Sequence, residues 1–243
     1  MKTRDLDEEF SPNEERDYLY KFDVESRKIL LNRFLPHLDR QGRSLEMGSF
    51  DGSMTNLLLE EVDSLEVLEG SAELASQLAQ RLGDAVIVHQ GWFEDFTPQR
   101  KYDQIFLIHG LEHVDDPILV LKRSSSWLNA GGKLFVAVPN ASALSRQIAV
   151  KMGVVESLEA VTPGEEKHGH RRTYNLDTLL RDFKKAGLTV TESGGVILKP
   201  LSNAQFDAAM ESGIVSSEYL AACEQLSRVW PEFSASIYAI VEI

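Results

Sequence analysis

The sequence predicts an α/β fold built on a mainly parallel sheet, and three observations carry that expectation. Short apolar runs alternate along the chain with amphipathic stretches of about ten residues, the pattern of βαβ units. A glycine-bearing turn, Leu45–Gly52, separates the first apolar run from the stretch that follows it. The chain has 243 residues, 43% of them hydrophobic, which is enough to bury a core without staples.

The first forty residues read as a helical cap. Ser11-Pro12-Asn13-Glu14 is a helix start signal, with a capping side chain and a proline in the first turn. Tyr18, Phe22, Ile29, Leu30, Phe34 and Leu35 then recur at spacings of three and four until Pro36 stops the run. The candidate strands are Ser44–Met47, Leu65–Leu68, Ala85–His89, Gln104–Ile108, Lys133–Val138, Leu188–Thr191 with Val196–Leu198, and Ser236–Val241. The candidate helices between them are Met54–Glu61, Ala72–Leu82, Pro117–Leu128, Ser142–Met152 and Leu176–Ala186. Helical spacing returns at Phe206, Met210, Tyr219, Leu220, Ala222, Leu226 and Val229, which marks 200–231 as a helical insert. That insert either shapes the acceptor side or makes a subunit contact, as in a homodimer. No repeat or long linker interrupts the chain, so 1–243 reads as one domain. Its parts are a cap (1–40), a cofactor-binding core (41–140) and a substrate-side half (141–243).

Composition excludes several partners. The 25 Lys plus Arg against 38 Asp plus Glu give a net charge of −13, which tells against nucleic acid, because that binding rests on neutralising phosphates. The single Cys223 rules out an internal disulfide and a cysteine-based zinc site. No apolar window approaches membrane-spanning length, and the acidic N-terminus lacks a signal-peptide core. The expectation is a soluble cytoplasmic protein with no membrane partner.

Ligands of doubly wound sheets sit at the carboxyl ends of the strands, so the chemistry is sought there. After the first strand, Gly48 lets a ligand approach the main chain closely, and the following helix offers unpaired N–H groups. One strand later Glu69, followed by Gly70 and Ser71, is positioned to accept hydrogen bonds from ribose hydroxyls. A dinucleotide site wants G-x-G-x-x-G, but Phe50 and Ser53 hold its later slots, and Glu46 adds negative charge where a pyrophosphate would lie. A phosphate-free cation with an amino group suits Glu46 better, and S-adenosylmethionine fits that description.

In the order of its motifs the chain resembles the class I S-adenosylmethionine-dependent methyltransferases, over roughly residues 40–198 plus the last strand. Leu45–Gly52 resembles the family's glycine-rich motif, with Ser49 inside it and Phe50 in place of the usual second glycine. Glu69 matches the ribose-binding acid, and Gln90–Phe96, with Trp92, Phe93 and Glu94, matches the segment that contacts adenine. Tyr102–Val114, ending in His109-Gly110-Leu111-Glu112-His113-Val114, resembles the fourth motif of ubiquinone-type O-methyltransferases. Leu128–Val136 resembles the turn into the fifth strand, with Ala130 replacing a proline. The resemblance implies a Rossmann-like doubly wound sheet of seven strands with an antiparallel last strand. It also implies S-adenosylmethionine as cofactor, S-adenosylhomocysteine as product, and a small-molecule acceptor.

Methyl transfer needs alignment of donor and acceptor, and a hydroxyl acceptor must also lose a proton. His113 is the candidate base, or else a helix-start residue packed around Pro117; His109 lines the cofactor pocket. Related enzymes carry a histidine- and arginine-bearing loop over the acceptor, which points to His168, His170, Arg171 and Tyr174 as substrate contacts, with Tyr18 from the cap. Arg171 and Arg172 suit an acidic or phosphate-bearing acceptor, or pair with the nearby glutamates. No metal is expected: His168 and His170 have no Cys or further His close in sequence, and there is no clear catechol-type acid set, although Asp115-Asp116 keeps that possibility barely alive. The preferred acceptor is an oxygen of a sugar or other polar metabolite, with nitrogen second. A non-catalytic module that binds the cofactor is one alternative, motivated by Phe50; an NAD-dependent enzyme is another.

Overall fold

The computed structural model describes residues 6–7 and 21–243. The start signal at Ser11–Glu14 and the candidate contact Tyr18 lie outside the described residues. Seven strands form one sheet: β1 (Arg43–Met47), β2 (Ser64–Glu69), β3 (Ile87–Gln90), β4 (Tyr102–Ile108), β5 (Leu128–Pro139), β6 (Val190–Gly195) and β7 (Ser236–Glu242). Their order is β3-β2-β1-β4-β5-β7-β6. The pairs among β1 to β5 are parallel, and β7 runs antiparallel to both β5 and β6. The doubly wound sheet with its antiparallel last strand is the one the family resemblance implied.

The central strands are almost wholly buried because both faces of the sheet are covered, and their apolar stretches, such as Ile105–Ile108 and Leu134–Val138, are the continuous runs that such burial favours. The helices are α1 (Lys21–Phe34), α2 (Ser53–Glu61), α3 (Ala72–Leu82), α4 (Pro117–Ser126), α5 (Leu144–Lys151), α6 (Pro163–Lys167), α7 (Leu176–Ala186), α8 (Asn203–Glu211) and α9 (Ser217–Val229). On one face Leu45, Ile105, Leu107, Leu134 and Val136 meet Val120 and Leu121 of α4 and Leu179 and Phe183 of α7. On the other, Val67, Phe106, Ile108, Phe135 and Ile240 meet Leu30, Leu31 and Phe34 of α1, Leu58 of α2 and Leu78 of α3. Residues 105–108 thus alternate between the two cores, as the strand period of two requires. Among the described residues no helix is long and apolar enough to cross a membrane.

Two expectations need correction. Val196–Leu198 is not strand: its backbone bonds run to Ser236, Ala235 and Cys223, because Val196 and Ile197 turn inward beneath the insert. The start of the segment expected to be a histidine- and arginine-bearing loop is helical instead: Glu165–Lys167 belong to α6, which has a capping box between Thr162 and Glu165. The insert comprises α8 and α9, and both hold α1. Backbone amides of Lys21 and Phe22 donate to the Asp207 carboxylate at 2.8 and 2.7 Å, and the Phe22 and Phe206 rings meet edge to face at 5.3 Å. Buried Arg33 of α1 pairs with Glu224 of α9 at 2.6 Å.

Candidate functional site

A cavity of about 490 Å³ opens at the carboxyl ends of β1, β2 and β4, roofed by α1. Its floor is the β1–α2 turn. Gly48, Phe50 and Gly52 have φ of +83°, +47° and +72°, so alternate residues adopt the left-handed conformation. Phe50, where the related motif has glycine, therefore reproduces the glycine backbone at a steric cost of about 1–2 kcal/mol. Glu69 at the tip of β2 holds the turn in place. Its Oε2 accepts from the amides of Ser49 (2.9 Å) and Phe50 (3.1 Å) and from the Ser49 hydroxyl (3.2 Å). Among the described residues Oε1 accepts only from the Ser71 amide (3.0 Å), which leaves capacity for a second donor in the cleft.

Glu46, Gly48, Ser49, Phe50, Glu69, Gly70, Trp92, Phe93, Glu94, His109 and Gly110 all line the cavity. The Phe93 ring packs where a Cβ on Gly48 would lie, 3.3 Å away, so that glycine is needed for both its conformation and its neighbour. Three of the expected cofactor contacts are not in the lining. Gly52 closes the turn with Arg81 and Leu78 against it. Ser71 caps α3 by accepting from the Leu74 amide at 3.1 Å, and Leu111 is fully buried in the core.

Glu46 is 1% exposed. Its Oε2 accepts from the Thr55 hydroxyl at 2.6 Å, while Oε1 has no hydrogen-bond partner among the described residues. Burial, with Glu69 adding to it, pushes the Glu46 pKa up to about 8. Arg27 of α1 lines the same wall, close enough to draw the Glu46 pKa back down. Its Nη1 is also buried without a hydrogen-bond partner among the described residues. Sequence reading missed Arg27, although it shares a helical face with Leu31 and Phe34, where a charge is out of place.

The far end of the cavity is built from histidines. His109, at φ +51°, turns the chain out of β4 and brings its Nε2 to 3.2 Å from Ser236 Oγ. Burial, helped by Arg27 and His170, lowers the His109 pKa to about 3, so the ring is neutral. His113 and His170 meet edge to face at 4.7 Å, and burial lowers the His170 pKa. His168 lines the same wall. Glu112 was passed over in sequence because nothing in a Leu-Glu-His-Val run reports burial. It is 2% exposed, neither carboxylate oxygen has a hydrogen-bond partner among the described residues, and desolvation pushes its pKa up to about 8. Ligand atoms of Glu112, His113 and His170 lie within 4.8 Å of one another, a set able to hold a metal ion.

Arg171 and Tyr174 do not line the cavity. Arg171 pairs with Asp115 at 2.6 Å, and Arg172 donates to the carbonyls of Leu111, Val114 and Asp115. The two arginines thus fasten residues 168–174 to the β4–α4 loop, which brings His168 and His170 to His113. Tyr174 is buried, with its hydroxyl donating to Asp182 at 3.2 Å. Asp115 is committed to Arg171, and Asp116 caps α4 by accepting from the Leu119 amide at 3.0 Å, so the acid pair forms no site of its own.

A family model described as a methyltransferase domain matches residues 18–193. The ubiquinone biosynthesis O-methyltransferase of Aeromonas salmonicida (strain A449) is 31% identical over 107 residues, 44% of this chain and 43% of that protein. Its counterpart from Chelativorans sp. (strain BNC1) is 29% identical over 155 residues, 63% and 54% of the two chains. The match therefore spans about half the length of these curated relatives. Among solved structures, the N-methyltransferase NodS of Bradyrhizobium japonicum WM9 with bound S-adenosylhomocysteine superposes with a TM-score of 0.61 at 15% identity, covering 98% of this chain and 95% of that one. That likeness concerns the fold.

Proposed function

This chain belongs to the class I S-adenosylmethionine-dependent methyltransferase family, and we propose that its cavity binds S-adenosylmethionine and delivers the methyl group to an oxygen of a small polar metabolite such as a sugar. Nitrogen is the second acceptor type. The observation that carries the reading is a pair of buried groups on one wall, each with an atom lacking a hydrogen-bond partner among the described residues: Glu46 Oε1, a carboxyl that an ammonium would ionise, and Arg27 Nη1. An α-amino acid end, with one ammonium and one carboxylate, answers both at once, whereas a dinucleotide pyrophosphate would answer only Arg27. Phe50 supports the same reading. Its left-handed backbone supports cofactor binding at this turn even though the usual glycine is absent.

S-adenosylmethionine supplies an electrophilic methyl on a sulfonium and leaves as S-adenosylhomocysteine. The protein's part is to bind and align. Glu69 Oε1 takes a ribose hydroxyl as its second donor, and Trp92 and Phe93 offer an apolar wall for the adenine. Arg27 and Glu46 fix the amino-acid end. The acceptor enters at the histidine end, where His113 receives the proton that the hydroxyl loses as its oxygen bonds to carbon. His109 and His170 are neutral and add no positive charge, and Arg171 and Arg172 are engaged elsewhere. A neutral hydroxylated acceptor therefore suits this end better than an acidic or phosphate-bearing one.

Calorimetric titration with S-adenosylhomocysteine, followed by a methyl-transfer screen over sugars and other polar metabolites, tests the reading. Saturable 1:1 binding and turnover on at least one hydroxylated acceptor are expected. Absence of binding would sink the cofactor assignment, and binding without turnover on any acceptor would restore the module reading.

A further inference from the structure

Arg27 faces the cavity from a helix that the sheet holds by one half only. Leu30, Leu31 and Phe34 of α1 pack into the core on the sheet, whereas Phe22 belongs to a separate cluster with Ile197, Phe206, Val215 and Cys223. The residues that α1 sends into the cavity, Phe22, Asp23, Ser26 and Arg27, all lie in the half before that sheet core. A long charged side chain on an unsupported half-helix would lose backbone and rotamer freedom on meeting a ligand, which weakens binding. Something other than the sheet must hold that half in place.

The insert supplies the support. The amides of Lys21 and Phe22, the first two of α1, donate to Asp207 Oδ2 and Oδ1 of α8 at 2.8 and 2.7 Å. The first amides of a helix have no partner within it, so this carboxylate, 185 residues on from Phe22, acts as a cap supplied by the tertiary fold. Its negative charge also faces the positive end of the helix dipole. Lys199, 2% exposed, donates to the Leu201 carbonyl at 2.7 Å and sets its ammonium 4.6 Å from the centre of the Phe22 ring. The Asn203 amide donates to the Asp23 carboxylate at 3.1 Å, and both side chains line the cavity. At the other end of α1, Arg33 is bound to Glu224 and Ser227 of α9. Arg27 thus lies between two ties to the insert, about one and a half turns from the contact of Phe22 with Asp207.

We propose that Asp207 is a positioning residue for the cofactor: it fixes the start of α1 and, through that helix, sets Arg27 against the carboxylate of the amino-acid end. The insert then does more than flank the acceptor side, because it completes the cofactor site from a segment that follows β6 in sequence. Without the cap the first turn of α1 frays and only a fraction of molecules hold Arg27 ready. The apparent affinity falls by that fraction. The role of Asp207 rests on the reading that Arg27 meets the cofactor carboxylate. On the same reading the nucleoside half is bound by Glu69, Trp92 and Phe93, outside α1, and is indifferent to the cap.

The test is a double-mutant cycle read by calorimetry with S-adenosylhomocysteine and with methylthioadenosine, the nucleoside part without the amino-acid end. Asp207→Ala should bind S-adenosylhomocysteine about 3- to 30-fold more weakly, the span to which a helix-cap contribution converts, and methylthioadenosine within about twofold of wild type. Asp207→Asn, which keeps one accepting oxygen, should fall between Asp207→Ala and wild type. Glu211→Gln removes an equal charge from the exposed pair with Lys21 and should change neither affinity. In the Arg27→Met background, Asp207→Ala should weaken S-adenosylhomocysteine no further. Wild-type affinity in Asp207→Ala, or the same loss with and without Arg27, would overturn the positioning role and leave the cofactor pose standing. Equal losses for both ligands would overturn it too, by assigning Asp207 to the stability of the whole cleft. Wild-type S-adenosylhomocysteine affinity in Arg27→Met would overturn the pose itself, and the role of Asp207 with it.

Discussion

Arg27→Met is the most direct challenge to the proposed cofactor pose. The substitution keeps the apolar stem of the side chain on α1 and removes the guanidinium whose Nη1 is buried without a partner beside Glu46. A hydrogen bond between charged groups contributes about 1.5–3 kcal/mol, so S-adenosylhomocysteine should bind the variant about 10- to 150-fold more weakly. Glu46→Gln keeps the shape and the Thr55 contact but removes the charge that would face the ammonium. It should weaken binding by a similar factor and also remove a pH dependence. The Glu46 pKa is about 8, so an ammonium ligand must displace a proton, and wild-type affinity should rise as pH increases from about 6.5 to 8. The assay is isothermal calorimetry in buffers of different ionisation enthalpy, which counts the proton released. Methylthioadenosine, which has the nucleoside but no amino-acid end, is the control and should bind wild type and both variants alike. If Arg27→Met binds S-adenosylhomocysteine within twofold of wild type, the amino-acid end does not lie between Arg27 and Glu46, and the pose is wrong.

The same geometry makes three further predictions. At position 50, φ of +47° favours glycine, so Phe50→Gly should be about 1 kcal/mol more stable than Phe50→Ala in urea denaturation; equal stabilities would mean the turn relaxes on substitution. A carboxyl raised from 4.5 to about 8 on folding contributes stability that is fully present below pH 4.5 and lost as pH rises to 8, so Glu46→Gln should flatten the decline by up to about 1.4 kcal/mol per pH unit near neutrality. Denaturation curves of the ligand-free protein between pH 6 and 8.5 measure this, and parallel slopes for wild type and variant would contradict it. His113→Ala should lower turnover by about 10²- to 10⁴-fold while leaving S-adenosylhomocysteine affinity unchanged; undiminished turnover would show that positioning alone suffices.

The fold was legible because its information is local and periodic. The runs that became β4, β5 and β7 carry unbroken apolar stretches, as strands covered on both faces favour, and β1 and β2 are shorter runs followed by glycine-bearing turns. The Val196–Leu198 error came from the same rule, since a buried apolar segment beneath an insert has the composition of a core strand. Only the partners of its amides distinguish the two, and those lie far away in sequence. The site divided along similar lines. Glycine and acid positions at strand tips carry their own signature, and Gly48, Glu69 and His109 line the cavity where that signature suggested.

Burial of charge carries no such signature, and the misreadings at the site follow from that. Arg171 and Arg172 looked available because they are charged and sit in a connecting segment, yet both are consumed in fastening that segment to the β4–α4 loop. Arg27 and Glu112 looked ordinary, yet each holds a buried polar atom without a hydrogen-bond partner among the described residues. Charge in a sequence therefore counts toward function only after the fold has subtracted the groups that neutralise one another. Once Arg171–Asp115, Arg33–Glu224 and Arg146–Glu165 are set aside, the charged groups facing the cavity include Arg27 with Glu46 at one end and Glu112 beside His113 and His170 at the other, with Asp23, Asp51, Glu69 and Glu94 also in the lining. One end is suited to a zwitterion, and at the other a buried carboxyl meets two imidazoles. The two ends sit on either side of His109, whose ring is kept neutral and whose backbone is held in a conformation few side chains adopt. A neutral ring there spares Arg27 the repulsion that an imidazolium beside it would add.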